Sequence, residues 1–168
     1  FIANLLDMTR LESGALAPNL QAVDLGDVVG SVLRRAAPLT GGHTIVLELE
    51  PGLPLLRLDP VLTEQVLFNL LDNAVKYAPQ GSRITLRVRR EGAVVRMEIM
   101  DEGEGILDED GERIFDKFYR VRAGDRKRAG TGLGLSIARG FLDAMGGTIT
   151  AANRDNGGAV FNLTLPVP

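Results

Sequence analysis

The chain has 168 residues, of which 45% are hydrophobic, enough to bury a core without covalent staples. Its net charge of −3 gives no reason to expect nucleic acid as a partner, and the absence of cysteine excludes disulfides and thiolate metal sites. No apolar run is long enough to span a bilayer, and the first residues, Phe1-Ile2, read as the middle of a helix, which predicts a piece of a longer protein.

Along residues 1–14, apolar Phe1, Leu5, Met8 and Leu11 recur at the spacing of a packing seam, and the pattern stops at Gly14. Residues 15–23 read as a linker. Asp24 is placed to cap a helix through Val28, Val29, Val32 and Leu33 to about Ala37, and Gly41-Gly42 then interrupts the chain. Alternation over Thr44 to Glu50 predicts a strand, with a second short one at Leu55 to Leu58. Asp59-Pro60 opens a long helix, proline standing in its favoured first turn. Two strands, Ser82 to Glu91 and Ala93 to Met100, form a hairpin around Glu91-Gly92, and the second delivers Asp101 at its end. A short helix is expected near Glu109 to Phe115, then a mobile charged loop over 118–130, then a helix opened by Gly132 and running through Ile137, Phe141 and Met145. A last hairpin joins Thr148 to Ala152 with Ala159 to Leu165 through Asp155-Asn-Gly-Gly158. The tally is α+β: a two-layer α/β sandwich with a mixed, mostly antiparallel sheet and about three helices on one face.

Three features carry chemistry. On the long helix, Asn69 and Asn73 lie one turn apart, with Lys76 and Tyr77 a turn further on, so the polar groups share one face. Magnesium takes hard oxygen ligands and keeps several waters, so an asparagine carbonyl beside nucleotide phosphates suits it, and a lysine nearby neutralises phosphate charge. Asparagines that cap neighbouring loops and a solvated lysine are the competing reading. The second feature is the box Asp101-Glu-Gly103-Glu-Gly105-Ile106, where a carboxylate at a sheet end precedes glycines that let backbone approach a planar ligand. An aspartate that merely starts a turn has the same pattern. The third is Gly130-Thr131-Gly132-Leu133-Gly134, which leads into a helix whose free amide N–H groups favour an anion. It lacks the lysine of a Walker A loop, and its glycine spacing does not fit the dinucleotide fingerprint. The basic run Arg120, Arg122, Arg126, Lys127 and Arg128 just before it could close over phosphates, or could be a solvated charged loop.

In this order, Asn69 to Tyr77, Asp101 to Ile106, Phe115-Asp-Lys-Phe118-Tyr-Arg120 and Gly130 to Ser136 resemble the four boxes of the ATP-binding catalytic domain of bacterial sensor histidine kinases. The resemblance spans residues 24–168. Asp59-Pro-Val-Leu, Ala123-Gly-Asp-Arg-Lys-Arg-Ala-Gly and Ala144-Met-Gly-Gly look most like the potassium-responsive KdpD type. Residues 1–14 resemble the end of the second helix of the dimerising phosphoacceptor domain that precedes this module.

The resemblance implies the Bergerat sandwich shared with gyrase, chaperone and mismatch-repair ATPases, with ATP and Mg2+ as cofactors. By carry-over, Asn73 holds magnesium, Lys76 touches phosphate, and Asn69 and Tyr77 pack near the nucleotide. Asp101 reads the adenine amine while Gly103, Gly105 and Ile106 lie against the base. Phe118, Arg120 and the basic lid of Arg126, Lys127 and Arg128 steady the phosphates, to which Gly130, Thr131, Gly132, Leu133 and Gly134 offer backbone amides. The activity implied is transfer of the γ-phosphoryl group to a histidine in a separate dimerisation domain, and the partners are that phosphoacceptor domain, a response regulator and, in the full-length kinase, a second copy. Such a module is cytoplasmic, its parent anchored in the inner membrane.

Hydrolysing relatives place a glutamate base four residues before the magnesium asparagine, where this chain has Asn69, so slow intrinsic hydrolysis is expected; Glu64 could assist in principle, but it lies more than two turns from Asn73, where a carboxylate more often pairs or is solvated. A hydrolytic Bergerat-type ATPase and a nucleotide-sensing module without transfer are the alternatives. His43, the only histidine, follows Gly41-Gly42 and reads as a turn residue. Two positions depart from the family pattern: Leu107 stands where proline is usual, and Gly111 falls within the predicted short helix, which predicts fraying there.

Overall fold

The computed structural model describes residues 2–106, 112–117 and 132–168. Helix α1 spans Ile2–Glu12 and strand β1 Gln21–Val23; α2 follows at Leu25–Thr40, β2 at Thr44–Leu49 and β3 at Leu56–Leu58. Helix α3 is Pro60–Tyr77, β4 is Arg83–Glu91 and β5 is Val94–Met100; a short 3-10 helix at Glu112–Phe115 precedes α4 (Gly134–Ala144), β6 (Thr148–Asn153) and β7 (Ala159–Pro166).

The main sheet has the order β2-β4-β5-β7-β6, parallel between β2 and β4 and antiparallel elsewhere. Period-2 alternation decides which face is buried. Ile84, Leu86 and Val88 of β4, Val95, Met97 and Ile99 of β5, and Phe161, Leu163 and Leu165 of β7 all enter the core. There they meet Leu67, Leu70 and Leu71 of α3 and Ile137, Phe141 and Leu142 of α4. Helix α3 packs between α2 and α4, and α1 lies against α4. The opposite sheet face carries charge: Arg87 bonds Glu48 at 2.7 Å, and Glu98 lies 3.4 Å from Arg89. The two-layer α+β sandwich read from the sequence is therefore the observed fold.

Three details differ from the sequence reading. The segment read as a linker contains β1, which pairs antiparallel with β3 through Gln21 and Leu58, Ala22 and Arg57, and Val23 and Leu56. Three residues carry too little alternation to be seen as a strand. Helix α2 runs past Ala37 to Thr40 with Pro38 inside it; the proline removes one bond near the end of the helix without stopping it. The last helix begins at Gly134, because Gly132 holds φ at +75° and cannot continue a right-handed helix.

Asp59 sets the start of α3. Its Oδ1 accepts from the N–H groups of Val61 and Leu62 at 3.0 and 3.2 Å, and its Oδ2 accepts from Asn19 N–H at 3.0 Å. One side chain thereby caps the helix that carries Asn69, Asn73 and Lys76 and ties it to the segment after α1. Asp24 caps α2 with a single bond, from Gly26 N–H at 2.8 Å.

Replacing Asp59 by alanine should therefore cost about 1–2 kcal/mol, lowering the midpoint of thermal unfolding by about 2–4 °C per kcal/mol. Asp24→Ala should cost less, and equal midpoints for the two variants would refute the tie through Asn19.

Candidate functional site

Strand β5 ends at Met100, and Asp101 stands immediately beyond it, beside the first residue of β7. Its N–H donates to Ala159 O at 3.0 Å, which extends the β5–β7 pairing by one step. The side chain is 4% exposed. Its Oδ1 accepts from Gly103 N–H at 2.9 Å and from Ala159 N–H at 3.2 Å. A carboxylate needs such donors when water is excluded. Among the described residues Oδ2 takes no hydrogen bond, leaving one acceptor of a buried carboxylate for a ligand.

The loop after Asp101 is shaped by contacts that only glycine permits. At Gly103 a Cβ would lie 2.6 Å from the carbonyl oxygen of Tyr77, so the loop and the end of α3 touch backbone to backbone. Gly105 has φ +85°, and a Cβ there would lie 2.5 Å from Asn153 Oδ1. Asn153, at the end of β6, accepts from Ile106 N–H at 2.6 Å and donates from Nδ2 to Ile106 O at 2.8 Å. Arg154 donates to the backbone oxygen of Asp101 at 2.8 Å. The β6–β7 turn thus grips the box at both ends. Neither Asn153 nor Arg154 emerged from the sequence, since nothing local to a polar hairpin turn reveals what it faces.

Helix α3 supplies the second wall. Asn69 is 7% exposed, and its Nδ2 donates to Gly134 O at 3.3 Å, joining α3 to the first turn of α4. Asn73, one turn on, is half-buried, and among the described residues its side chain has no hydrogen-bond partner. Lys76 pairs with Asp72 at 2.8 Å, an i,i+4 bridge on the same helix. Tyr77 closes the helix against Gly103. Glu64 does not join this group. It lies nine residues before Asn73, about 13 Å along the axis and half a revolution out of phase, where it accepts from Ser31 Oγ at 2.9 Å and faces Arg35 at 3.5 Å, both on α2. Its carboxylate links α3 to α2.

Helix α4 supplies the third wall. Leu133, fully buried, is its N-cap residue and makes no side-chain cap bond, so the first-turn N–H groups lack an intrahelical partner and carry the positive end of the dipole. Behind it the 3-10 helix is anchored by Phe115, whose ring meets Phe161 edge-on at 6.3 Å and lies 4.0 Å beneath the Arg139 guanidinium. Phe118, Arg120, Arg126, Lys127, Arg128, Gly130 and Thr131, the predicted loop over 118–130, Leu107 and Gly111 lie outside the described residues. His43 stands in a turn, its N–H donating to Thr40 O at 2.9 Å. Among the described residues no group of three His, Asp or Glu side chains could hold a metal; a magnesium ion here would need the Asn73 carbonyl, water and oxygens of the ligand itself.

Residues 58–168 match the model of the histidine kinase-, DNA gyrase B- and HSP90-like ATPase family, and the chain belongs to that family. It is 42% identical over 167 residues to the sensor protein KdpD of Escherichia coli (strain K12), a match covering 98% of this chain and 18% of that protein. Full-length ShkA, solved in complex with AMPPNP, superposes with a TM-score of 0.83 at 29% identity over 97% of this chain and 34% of its own. Histidine kinase ThkA, solved in complex with the response regulator protein TrrA, gives 0.75 at 25% identity over 89% and 42%. The chain therefore spans under a fifth of the length of the KdpD relative.

Two adjacent glycines separate strain from contact. Gly158, at φ +89°, would place a Cβ inside contact distance of the Asp101 carbonyl oxygen, whereas Gly157, at φ +95°, has open space around it. Gly157→Ala should cost about 1–2 kcal/mol of backbone strain. Gly158→Ala should cost at least about 1 kcal/mol more, read as the midpoint difference in urea unfolding, and equal costs would show that the turn does not press on Asp101.

Proposed function

We propose that the chain is the ATP-binding catalytic domain of a two-component sensor histidine kinase, and that it moves the γ-phosphoryl group of magnesium-bound ATP to a histidine in a dimerising domain of the same parent. The observation that carries this reading is Asp101. Its Oδ1 is consumed by two backbone donors, while among the described residues Oδ2 takes no hydrogen bond, and the glycines that follow let the loop close tightly on Tyr77 and Asn153. An acceptor in that place selects a base carrying an exocyclic amine. Asn73, without a side-chain hydrogen-bond partner among the described residues, offers a carbonyl to magnesium, and Lys76 exchanges Asp72 for a phosphate oxygen. The first turn of α4 receives phosphate on N–H groups that have no intrahelical acceptor.

Transfer is favoured over hydrolysis by Asn69. Its Nδ2 is already donated to Gly134 O, and a carboxamide has no basic lone pair with which to activate water. With Glu64 held by Ser31 and Arg35, the site works by positioning and charge stabilisation of the moving phosphoryl group. ThkA, a relative of this fold, was solved with a response regulator; we extend that to the parent of this chain, whose phosphohistidine would pass its phosphoryl group to such a protein. The same reading makes the parent a homodimer anchored in the inner membrane, with this domain in the cytoplasm, and no helix among the described residues is long and apolar enough to cross a membrane.

Thermal unfolding with magnesium and AMPPNP at about one hundred times its dissociation constant should show about 2.7 kcal/mol of added stability, a rise of several degrees. Asp101→Asn keeps an oxygen for Gly103 and Ala159 but turns an amide donor toward the base amine, so it should fold and lose that rise. No rise in the parent chain would refute the site. In a second experiment, γ-labelled ATP with a supplied phosphoacceptor domain should label its histidine, with little phosphate released when that domain is omitted. Steady release without acceptor would favour the hydrolytic reading, and binding without labelling a sensing module.

A further inference from the structure

We infer that Asn153 and Arg154, at the corner where β6 enters its hairpin turn, are positioning residues that set purine selectivity by fixing both ends of the Asp101–Ile106 loop; this rests on the nucleotide site proposed above. Neither residue reaches a position where it would touch the base by the assignments given for that site. Each acts on backbone that does. Asn153 is exposed, so its role is not that of a core residue, yet both halves of its carboxamide are spent on one residue: Oδ1 accepts from Ile106 N–H and Nδ2 donates to Ile106 O. This is the pairing one strand offers another, supplied here by a side chain to a segment in no strand. It is also close enough to Gly105 to exclude any side chain there. At the other end Arg154 holds the Asp101 carbonyl at 2.8 Å, on the residue whose Oδ2, without a hydrogen bond among the described residues, is assigned to the base.

The geometric consequence follows from how selectivity arises. One acceptor distinguishes an amine from a carbonyl at the same ring position only if the ring cannot slide, and the ring is held by the backbone of Gly103 to Ile106. With that backbone released, a base bearing a carbonyl escapes the Asp101 carboxylate by a small shift, and a base bearing an amine loses its bond by the same shift. Selectivity should then fall through weaker ATP binding.

The test compares ATP with inosine triphosphate, which carries a carbonyl in place of the amine, binding to the 168-residue chain with magnesium by calorimetry. The parent should prefer ATP. Asn153→Ala should weaken ATP by about five- to tenfold, the size expected for two exposed hydrogen bonds, while inosine triphosphate changes by less than about twofold. Arg154→Ala should lower the same ratio by a smaller factor, and it carries the comparison if Asn153→Ala does not fold. Unfolding midpoints without nucleotide report folding separately. An unchanged ratio, or equal weakening of both nucleotides, would overturn the inference. A parent that binds neither nucleotide would overturn the site itself, and the inference with it, before any variant is compared.

Discussion

One buried carboxylate joins the sheet to the glycine-rich loop that follows β5. Asp101 cannot be understood as a residue of the loop alone, because its backbone continues the β5–β7 ladder while its Oδ1 collects donors from Gly103 and from the first residue of β7. A buried charge is expensive unless hydrogen-bonded, and two backbone N–H groups are the least that would hold it. The sheet order is what makes the arrangement available. Only because β7 lies beside β5 does the start of β7 stand next to the end of β5. The small residues around it follow: Gly158 yields to the Asp101 carbonyl, and Gly103 yields to the end of α3.

The helices answer a different requirement. Helix α3 must bury one face against the sheet and still present Asn69, Asn73 and Lys76 at one end, and it does so by being apolar around most of its circumference, with Leu62, Val66, Leu67, Leu70, Leu71 and Ala74 buried. Its register is fixed at the far end. The Asp59 cap, with Asn19 and the contact of its N–H with Met145 Sδ at 3.5 Å, pins the first turn, and Glu64 ties the second to α2. A helix is stiff over such a length, so its starting point determines where Asn73 stands.

The sandwich was legible because its strands alternate and its helices are capped by Asp24 and Asp59, signals that depend on neighbours in sequence. The polar face of α3 and both glycine boxes were visible for the same reason. Strand β1 was not, since Gln21 to Val23 becomes a strand only against β3, thirty-odd positions away in sequence. The partners of Glu64, Ser31 and Arg35, were not legible because they belong to another helix. Asn153 and Arg154 were invisible for the complementary reason: a polar hairpin corner looks like solvent-facing turn until the sheet order brings it over the Asp101 loop.

The two sides of the site are built with different stiffness, and the difference fits what each must do. The side assigned to the base is fastened by the sheet: Asp101, Asn153, Arg154 and Ala159 contribute hydrogen bonds of 2.6 to 3.2 Å between β5, β6, β7 and the loop. The side assigned to the phosphates is made where α3 meets α4, and there Asn69 bonds Gly134 O at 3.3 Å, with no side-chain cap on α4. A recognition surface gains from being preformed, because ordering it during binding would subtract from affinity. A surface that holds a group about to leave gains from helix termini and from an asparagine without a side-chain hydrogen bond among the described residues, which meet developing charge with fixed dipoles and need little rearrangement. Base recognition is thus assigned to the sheet and phosphoryl handling to the helices, and the contact of Gly103 with the carbonyl of Tyr77 is where the two halves are held in register.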